Sequence, residues 1–268
     1  MNKESIDTRQ TISSITAGLV VGLIFVVVSI SLSTLVFSGE LREYLSRGIG
    51  LFLFSGLILS VVLVSFGKFH GVTIAPQDGP AALLAVAAGG ISGALVESQN
   101  TEAAFYTVAA GIILCSLFTG AAFFLIGQFN LGNMVRYIPY PVVGGFLAGT
   151  GWLLTSGAIE VMTGQSLGME TLSLLFQSGM LIRWLPGAIF AIIVLFIVRR
   201  SNHFLIWPGI VASALLIFYT SLYLTGTSIE QARSDGLLLQ PFPSGGLWTP
   251  FTFSNIYQVD WNVLASQL

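Results

Sequence analysis

The stretch HGVTIAPQDGPAALLAVAAG, residues 70 to 89, interrupts a chain that is otherwise strongly apolar. It places two prolines, a glutamine and an aspartate between hydrophobic segments long enough to cross a membrane. Pro76 and Pro80 donate no backbone hydrogen bond and disfavour helical conformation in the residue before each of them. Residues 70–75 are therefore predicted to be extended, and the three β-branched residues at 72–74 favour a short strand.

A helix is predicted to follow the break, because proline is favoured in the first turn of a helix. It begins around Gln77 to Pro80 and continues through the run of alanine and leucine. The first four N–H groups of a helix have no partner within it, so an end at membrane depth must face protein or a watery cavity. These groups and the positive end of the helix dipole favour an anion. The predicted substrate-binding residues here are Ala75, Pro76, Gln77, Asp78 and Gly79. A re-entrant loop or an ordinary connection between helices is the alternative.

Asp78 has three candidate roles. It could cap the helix, act as a protonatable coupling group, or bind a co-transported cation. An ionised Asp78 would compete with a substrate anion, so an anion site requires this carboxylate to be neutralised, turned aside or coupled to a proton. Gln77 is the polar contact without that conflict.

The composition indicates a membrane protein. Of the 268 residues, 54% are hydrophobic and 8% are charged, with a mean hydropathy of +0.86, whereas soluble domains carry about 25% charged residues. A net charge of −2 without a basic patch excludes nucleic acid as an expected partner. Two isolated histidines and the single Cys115 predict no metal site, and no catalytic or cofactor motif is present. We therefore expect neither an enzyme nor a bound cofactor.

Seven transmembrane segments are predicted, near 15–38, 48–67, 76–95, 103–127, 138–158, 180–198 and 204–225. The doubtful segment is 76–95, and charge decides for it, because basic residues concentrate on the cytoplasmic side of a membrane. If this segment crosses and the N-terminus is cytoplasmic, six basic residues lie inside and four outside. The inside group is Lys3, Arg9, Lys68, Arg136, Arg199 and Arg200, and the outside group is Arg42, Arg47, Arg183 and Arg233.

An odd number of spans places the two ends of the transmembrane domain, 15–225, on opposite faces of the membrane. A second copy joined in series would run inverted, which is how many secondary transporters are built. Residues 1–14 are predicted to be a cytoplasmic segment. Residues 226–268 are predicted to form a polar extracytoplasmic tail that ends before an eighth helix.

The first span carries polar and small residues that suit either a site or helix packing. Ser29, Ser31 and Ser33 spread over different faces of a helix, so only some of them can reach a site, and we include Ser29 and Ser31 as substrate-binding candidates. Bonding of a hydroxyl to the preceding turn is the common alternative. Gly18 and Gly22, like Gly145 and Gly149 in the fifth span, form GxxxG pairs that predict close helix packing.

LGNMVRYIPYPVVGGFLAGTGWLL, residues 131–154, resembles the signature region of the SulP (sulfate permease, solute carrier 26) anion transporters, in which a basic residue precedes an I/F-P-x-P-V-V-x-G-F-x-x-G pattern. GVTIAPQDGPAALLA is similar to the extended piece and third helix of that family. TAGLVVGLIFVVVSISLSTLVFSG is similar to its first helix but lacks the usual central proline, which puts the polar contacts of that helix in doubt. Arg136 within the signature is also predicted to be an interfacial anchor, together with Tyr137 and Tyr140.

The resemblance implies a uracil-permease-like fold of two inverted seven-helix repeats, often followed by a STAS domain. The chain would then be an all-α membrane protein that supplies the first repeat, with no STAS domain and with a third segment made of a short strand and a half-helix. It would bind an inorganic anion such as sulfate or bicarbonate. A fragment or split-gene product without transport of its own, and a carrier of small organic solutes on the same fold, are the alternatives.

The expected partners follow from this interpretation. They are the lipid bilayer, an inorganic anion with a proton or sodium as the candidate coupling ion, and a second half-transporter or another copy of the chain. The expected location is a plasma membrane or bacterial inner membrane, with the N-terminus cytoplasmic.

Overall fold

The structure is a computed structural model that describes residues 8–67, 72–96, 101–165, 167–201, 206–239, 241, 246 and 251–267. The chain divides into two compact units. The first unit consists of Met1–Ser29 and Gly168–Pro241, and the second consists of Ile30–Leu167 and Phe242–Leu268.

Ten α-helices and three 3-10 helices form within the described residues. The α-helices are α1 (Thr8–Val36), α2 (Leu45–Phe66), α3 (Asp78–Val96), α4 (Thr101–Gln128), α5 (Tyr140–Thr163), α6 (Leu172–Leu175), α7 (Ser178–Arg200), α8 (Ile206–Thr225), α9 (Ile229–Ser234) and α10 (Trp261–Gln267). The 3-10 helices are Gly39–Tyr44, Leu131–Tyr137 and Phe253–Gln258.

Seven helical segments of the described chain are long and apolar enough to cross a membrane. They are Ser14–Val36, Gly39–Phe66, Asp78–Leu95, Glu102–Gln128, Tyr140–Thr163, Ser178–Arg200 and Pro208–Thr225. Each corresponds to one predicted segment, including the doubtful third one. The prediction of an all-α membrane protein with seven spans is therefore confirmed.

The break before the third span is present, but it contains no strand. Residues 72–77 have no regular secondary structure, and α3 begins at Asp78. The short strand predicted over 70–75 does not form at 72–75, and residues 70 and 71 lie outside the described residues. A strand needs a neighbouring strand to pair its backbone, and the described part of the chain offers none.

The core of the second unit lies where α1 and α3 end and where α2 and α4 begin. Phe37 is completely buried there, and its ring centroid lies 5.9 Å from that of Phe105. Phe105 stacks on Tyr44 with 5.1 Å between the ring centroids. Gly48 leaves the space that the Phe37 ring fills, because a side chain at this position would collide with that ring. Aromatic packing thus joins α1, α2 and α4 at this end.

The segment 251–267 packs on the same core. Val259 and Leu264 are buried in it, and the backbone N–H of Asp260 donates to Oγ1 of the buried Thr107 at 3.0 Å. Leu264 lies over Gly111 of α4, where an added Cβ would be 3.1 Å from its Cδ1 atom. The sequence predicted only a polar tail from 226 onward, and it did not reveal this docking on α3 and α4.

The first unit contains a capped helix after its last span. Ser228 and Gln231 form a capping box at the start of α9, with each side chain accepting a hydrogen bond from the backbone N–H of the other at 2.9–3.1 Å. Ala232 in this helix is fully buried. Gly236 follows with φ +79° and lies against the Arg183 guanidinium of α7, so a side chain at this position would be both strained and obstructed.

Close helix approach occurs at glycines other than those predicted. Nothing in the described structure lies within 4 Å of the Cβ position of any GxxxG glycine, namely Gly18, Gly22, Gly145 and Gly149. Instead, Gly157 of α5 is covered by Leu35 of α1. GxxxG spacing identifies a smooth helix face but does not say which helix, if any, covers it.

Candidate functional site

The amino end of α3 presents backbone groups that the helix does not use. The N–H of Ala81 donates to the carbonyl oxygen of Gln77 at 3.2 Å, and Pro80 has no N–H. The N–H groups of Asp78 and Gly79 find no acceptor among the described residues. These two amides, at the positive end of a 19-residue helix, can bind an anion or another hydrogen-bond acceptor.

This helix end lies beside the first half of α5, about a third of the way along it. A Cβ added to Gly79 would be 3.6 Å from Cζ of Phe146 and 3.7 Å from Cγ2 of Thr150, which are ordinary contact distances. Thr150 is ten residues after the start of α5 at Tyr140, which corresponds to about 15 Å along a helix. Since α5 is itself a candidate span, α3 begins within the depth of the span and not at its edge.

The structure keeps the five predicted residues at the break together and leaves the site partly open. Ala75, Gln77 and Asp78 are exposed, while Pro76 and Gly79 are half-buried. Three of the five residues beside the free amides are therefore exposed in the described structure.

Asp78 does not cap the helix. It is the first residue of α3, so Gln77 occupies the capping position, and the Asp78 carboxylate makes no hydrogen bond to any described residue. The carboxylate is therefore available to a proton, a cation or a donor group of a solute. Of the three roles considered for Asp78, the structure contradicts the capping role.

The serines of α1 behave differently from one another. Ser33 is buried, and its hydroxyl donates to the carbonyl oxygen of Ile30 at 2.9 Å, which is the expected bond to the preceding turn. Ser31, in the second unit, is exposed. Ser29, in the first unit, is completely buried, and its Oγ finds no hydrogen-bond partner among the residues that the structure describes. A buried hydroxyl without a partner is costly, which makes Ser29 the serine that most needs an explanation.

Sequence reasoning missed the residues that face the helix end from α5. Thr150 is buried, and its hydroxyl donates to the carbonyl oxygens of Phe146 and Leu147 at 3.0 and 3.1 Å. The available signal was a single hydroxyl between Gly149 and Gly151 in a smooth helix face. That pattern is typical of packing, and nothing in it indicates contact with a segment seventy residues earlier.

A cavity of about 800 Å³ lies at the opposite end of α3. It is lined by Leu95, Glu102, Ala103 and residues 257–262, which run from the end of the last 3-10 helix into the start of α10. It does not involve any predicted site residue. Among the described residues, no group of histidine, cysteine, aspartate or glutamate could hold a metal ion, and His70 and His203 lie outside them.

Comparison with known proteins gives the chain a family. The profile of the sulfate permease family matches residues 12–268. The chain is also 24% identical over 164 residues, 58% of its length, to the vacuolar basic amino acid transporter VSB1 of Saccharomyces cerevisiae, and the match covers 16% of that yeast protein. No solved structure matches it. Since the family profile covers nearly the whole chain, the protein belongs to the sulfate permease family, whose members are membrane transporters and not enzymes.

Proposed function

We propose that this chain forms one seven-helix repeat of a secondary transporter for a small inorganic anion such as sulfate or bicarbonate. The observation that carries the proposal is the position of the amino end of α3, with the free amides of Asp78 and Gly79 about a third of the way along α5. A helix end at this depth is costly in lipid unless a polar partner satisfies it. A transported anion is such a partner.

The backbone amides and the side chains of Gln77 and Asp78 have different roles in binding. The two backbone amides provide hydrogen-bond donors, and the exposed amide of Gln77 adds another on the same turn. The exposed carboxylate of Asp78 repels an anion while it is ionised. Binding of a proton or a sodium ion at Asp78 removes this repulsion, and the same event couples the driving ion to the solute.

A second, inverted repeat completes the site in this proposal. The amino end of α3 is open in the described structure, since Ala75, Gln77 and Asp78 are exposed. The covering repeat lies elsewhere in the same polypeptide, in a separate half-transporter or in another copy of this chain. Without it, the chain binds solute weakly and does not transport. The N-terminus is cytoplasmic, which places Arg136 inside and Arg42 outside.

The test is uptake of labelled sulfate and bicarbonate into proteoliposomes containing the chain alone or together with an inverted half. Gln77→Leu is expected to lower uptake about tenfold, which is the effect of losing one hydrogen bond to a charged group. Gln128→Leu, at the exposed end of α4, is the matched control and should not change uptake. Absence of uptake by every assembly would favour a fragment without transport of its own.

The topology has its own test. Cys115 is the only cysteine, so a Cys115→Ser background accepts single cysteines at position 42 or 136. An impermeant thiol reagent should label position 42, and not 136, from outside intact cells. The reverse pattern would contradict the cytoplasmic N-terminus.

A cationic organic solute is the second candidate, and two observations favour it. The yeast relative is named as a basic amino acid transporter, and the Asp78 carboxylate is exposed without a hydrogen bond. The helix amides would then hold the carboxylate of the solute, and Asp78 would hold its ammonium or guanidinium group. Uptake of labelled arginine that is abolished by Asp78→Asn, with no uptake of sulfate, would decide for this candidate.

A further inference from the structure

The connection between α4 and α5 exposes large apolar and aromatic side chains along most of its length. Its 3-10 helix, Leu131–Tyr137, contains no buried residue. Seven large apolar or aromatic side chains between residues 129 and 140 are at least 41% exposed, namely Phe129, Leu131, Met134, Val135, Tyr137, Ile138 and Tyr140. Since this connection joins two candidate spans, it lies at a face of the membrane. We call residues 129–140 the α4–α5 connection.

Arg136 is the only charged residue in a long part of the chain around this connection. Residues 103–159 contain no aspartate, glutamate or lysine and no other arginine. Its exposed guanidinium donates from Nη2 to the hydroxyl of Tyr137 at 2.9 Å and lies 5.0 Å from the centroid of the same ring. This contact holds the guanidinium in place but does not neutralise it, and most of its N–H donors stay available.

We propose that the α4–α5 connection is a binding surface for the headgroup of an anionic membrane phospholipid, with the lipid phosphate held by Arg136. The apolar and aromatic side chains enter the interfacial layer, where tyrosine is favoured. The guanidinium then lies at the level of the phosphates, with which it forms paired hydrogen bonds. Tyr137 is a positioning residue that limits the orientations of the guanidinium.

A lipid fits this surface better than a free anion because a lipid can contact both the Arg136 guanidinium and the exposed apolar side chains. One arginine on an exposed segment binds inorganic phosphate weakly. A phospholipid adds burial of its acyl chains against the apolar side chains of the connection. This inference does not depend on the transported solute, so it stands or fails separately from the proposed function.

The test is a titration of the full chain in neutral detergent with short-chain phosphatidylglycerol, with bound lipid counted by native mass spectrometry. Arg136→Gln is expected to weaken binding about fivefold, which corresponds to the roughly 1 kcal/mol that one basic residue contributes near an anionic membrane surface. Arg136→Lys should retain most of the affinity, and Tyr137→Phe should lose about twofold. Inorganic phosphate at equal concentration should not compete.

Arg42→Gln is the matched control, because Arg42 is also exposed in a 3-10 helix, at the start of the second candidate span, but has the exposed Glu40 and Glu43 beside it. This variant should bind phosphatidylglycerol as the unmodified chain does. Equal loss in both glutamine variants, or no loss in Arg136→Gln, would overturn the proposal. If Arg136→Gln does not fold, unchanged affinity in Tyr137→Phe together with competition by inorganic phosphate would overturn it as well.

Discussion

At its carboxyl end, α3 places Ala88, Ile91 and Leu95 in the core of the second unit, each less than a tenth exposed. At its amino end, Gln77 and Asp78 are exposed, and two backbone amides are left without acceptors in the described structure. One helix therefore combines a firmly packed end with an open end.

The difference shows how the helix can serve as both a structural element and a site. The packed end is held by α1, α2, α4 and the docked segment 251–267. With its position fixed there, the open end can keep its amides available without help from its own side chains. Substitutions should therefore change stability strongly at the packed end, and change transport with little loss of stability at the open end.

Phe37→Ala should produce the largest loss of stability. The side chain is completely buried between Gly48 and Phe105, and truncation of a core phenylalanine costs about 3–5 kcal/mol. The free energy of unfolding would be measured in mixed micelles. Phe118→Ala is the control, since Phe118 on α4 is 73% exposed and should cost less than about 0.5 kcal/mol. Similar values for both would show that the core is not where the structure places it.

Leu264→Ala should cost somewhat less, about 2–4 kcal/mol. Leu264 is 2% exposed and packs on Gly111, so its truncation leaves a cavity between α10 and α4. The measurement is again unfolding in mixed micelles. Leu224→Ala, at a 78% exposed position of α8, should have no comparable effect. If Leu264→Ala were equally harmless, the docking of segment 251–267 would be refuted.

Thr107→Val should cost about 1–2 kcal/mol, because it leaves the backbone N–H of Asp260 without its acceptor in a buried place. Valine keeps the shape of threonine, so the change isolates the hydrogen bond. Faster amide exchange at Asp260 would locate the effect. Thr155→Val is the control, because the exposed Thr155 hydroxyl only donates to the carbonyl oxygen of Gly151 on its own helix. If Thr155→Val lowered the free energy of unfolding as much as Thr107→Val, the loss could not be assigned to the hydrogen bond with Asp260.

Asp78→Asn should change stability least, by less than about 0.5 kcal/mol, since its exposed carboxylate makes no hydrogen bond to the described residues. Under the proposed function it should nevertheless alter the pH dependence of uptake, because the titrating group is gone. Uptake with an unchanged pH profile would exclude Asp78 as the coupling group. A large loss of stability would show that Asp78 supports the fold, in contrast to the open end described here.

Most of the fold could be predicted from local signals. Apolar runs of about 20 residues predicted six of the spans, and the distribution of basic residues decided for the third, 76–95. Pro76 and Pro80 predicted the break, which the structure places directly before Asp78. The strand predicted from three β-branched residues does not form at 72–75, because a strand depends on a partner that the described chain does not supply. GxxxG spacing likewise did not predict that Leu35 of α1 packs against Gly157 of α5.

The candidate site was only half accessible to sequence reasoning. The contiguous group from Ala75 to Gly79 followed from the chemistry of proline and of helix ends, whereas Ser29 and Ser31 were chosen by spacing and have opposite burial. Phe146 and Thr150 could not be predicted as part of the site, because their proximity to Gly79 depends on how two spans pack and not on any local pattern.

The sequence by itself determined that the described chain carries seven helical segments long and apolar enough to cross a membrane and that its third helix starts late, because hydrophobicity and the missing N–H of proline act along the chain. Only the tertiary structure decided that this start lies about a third of the way along α5 and that residues 251–267 dock on α3 and α4. Those facts depend on contacts between segments far apart in sequence, which are selected by shape and packing.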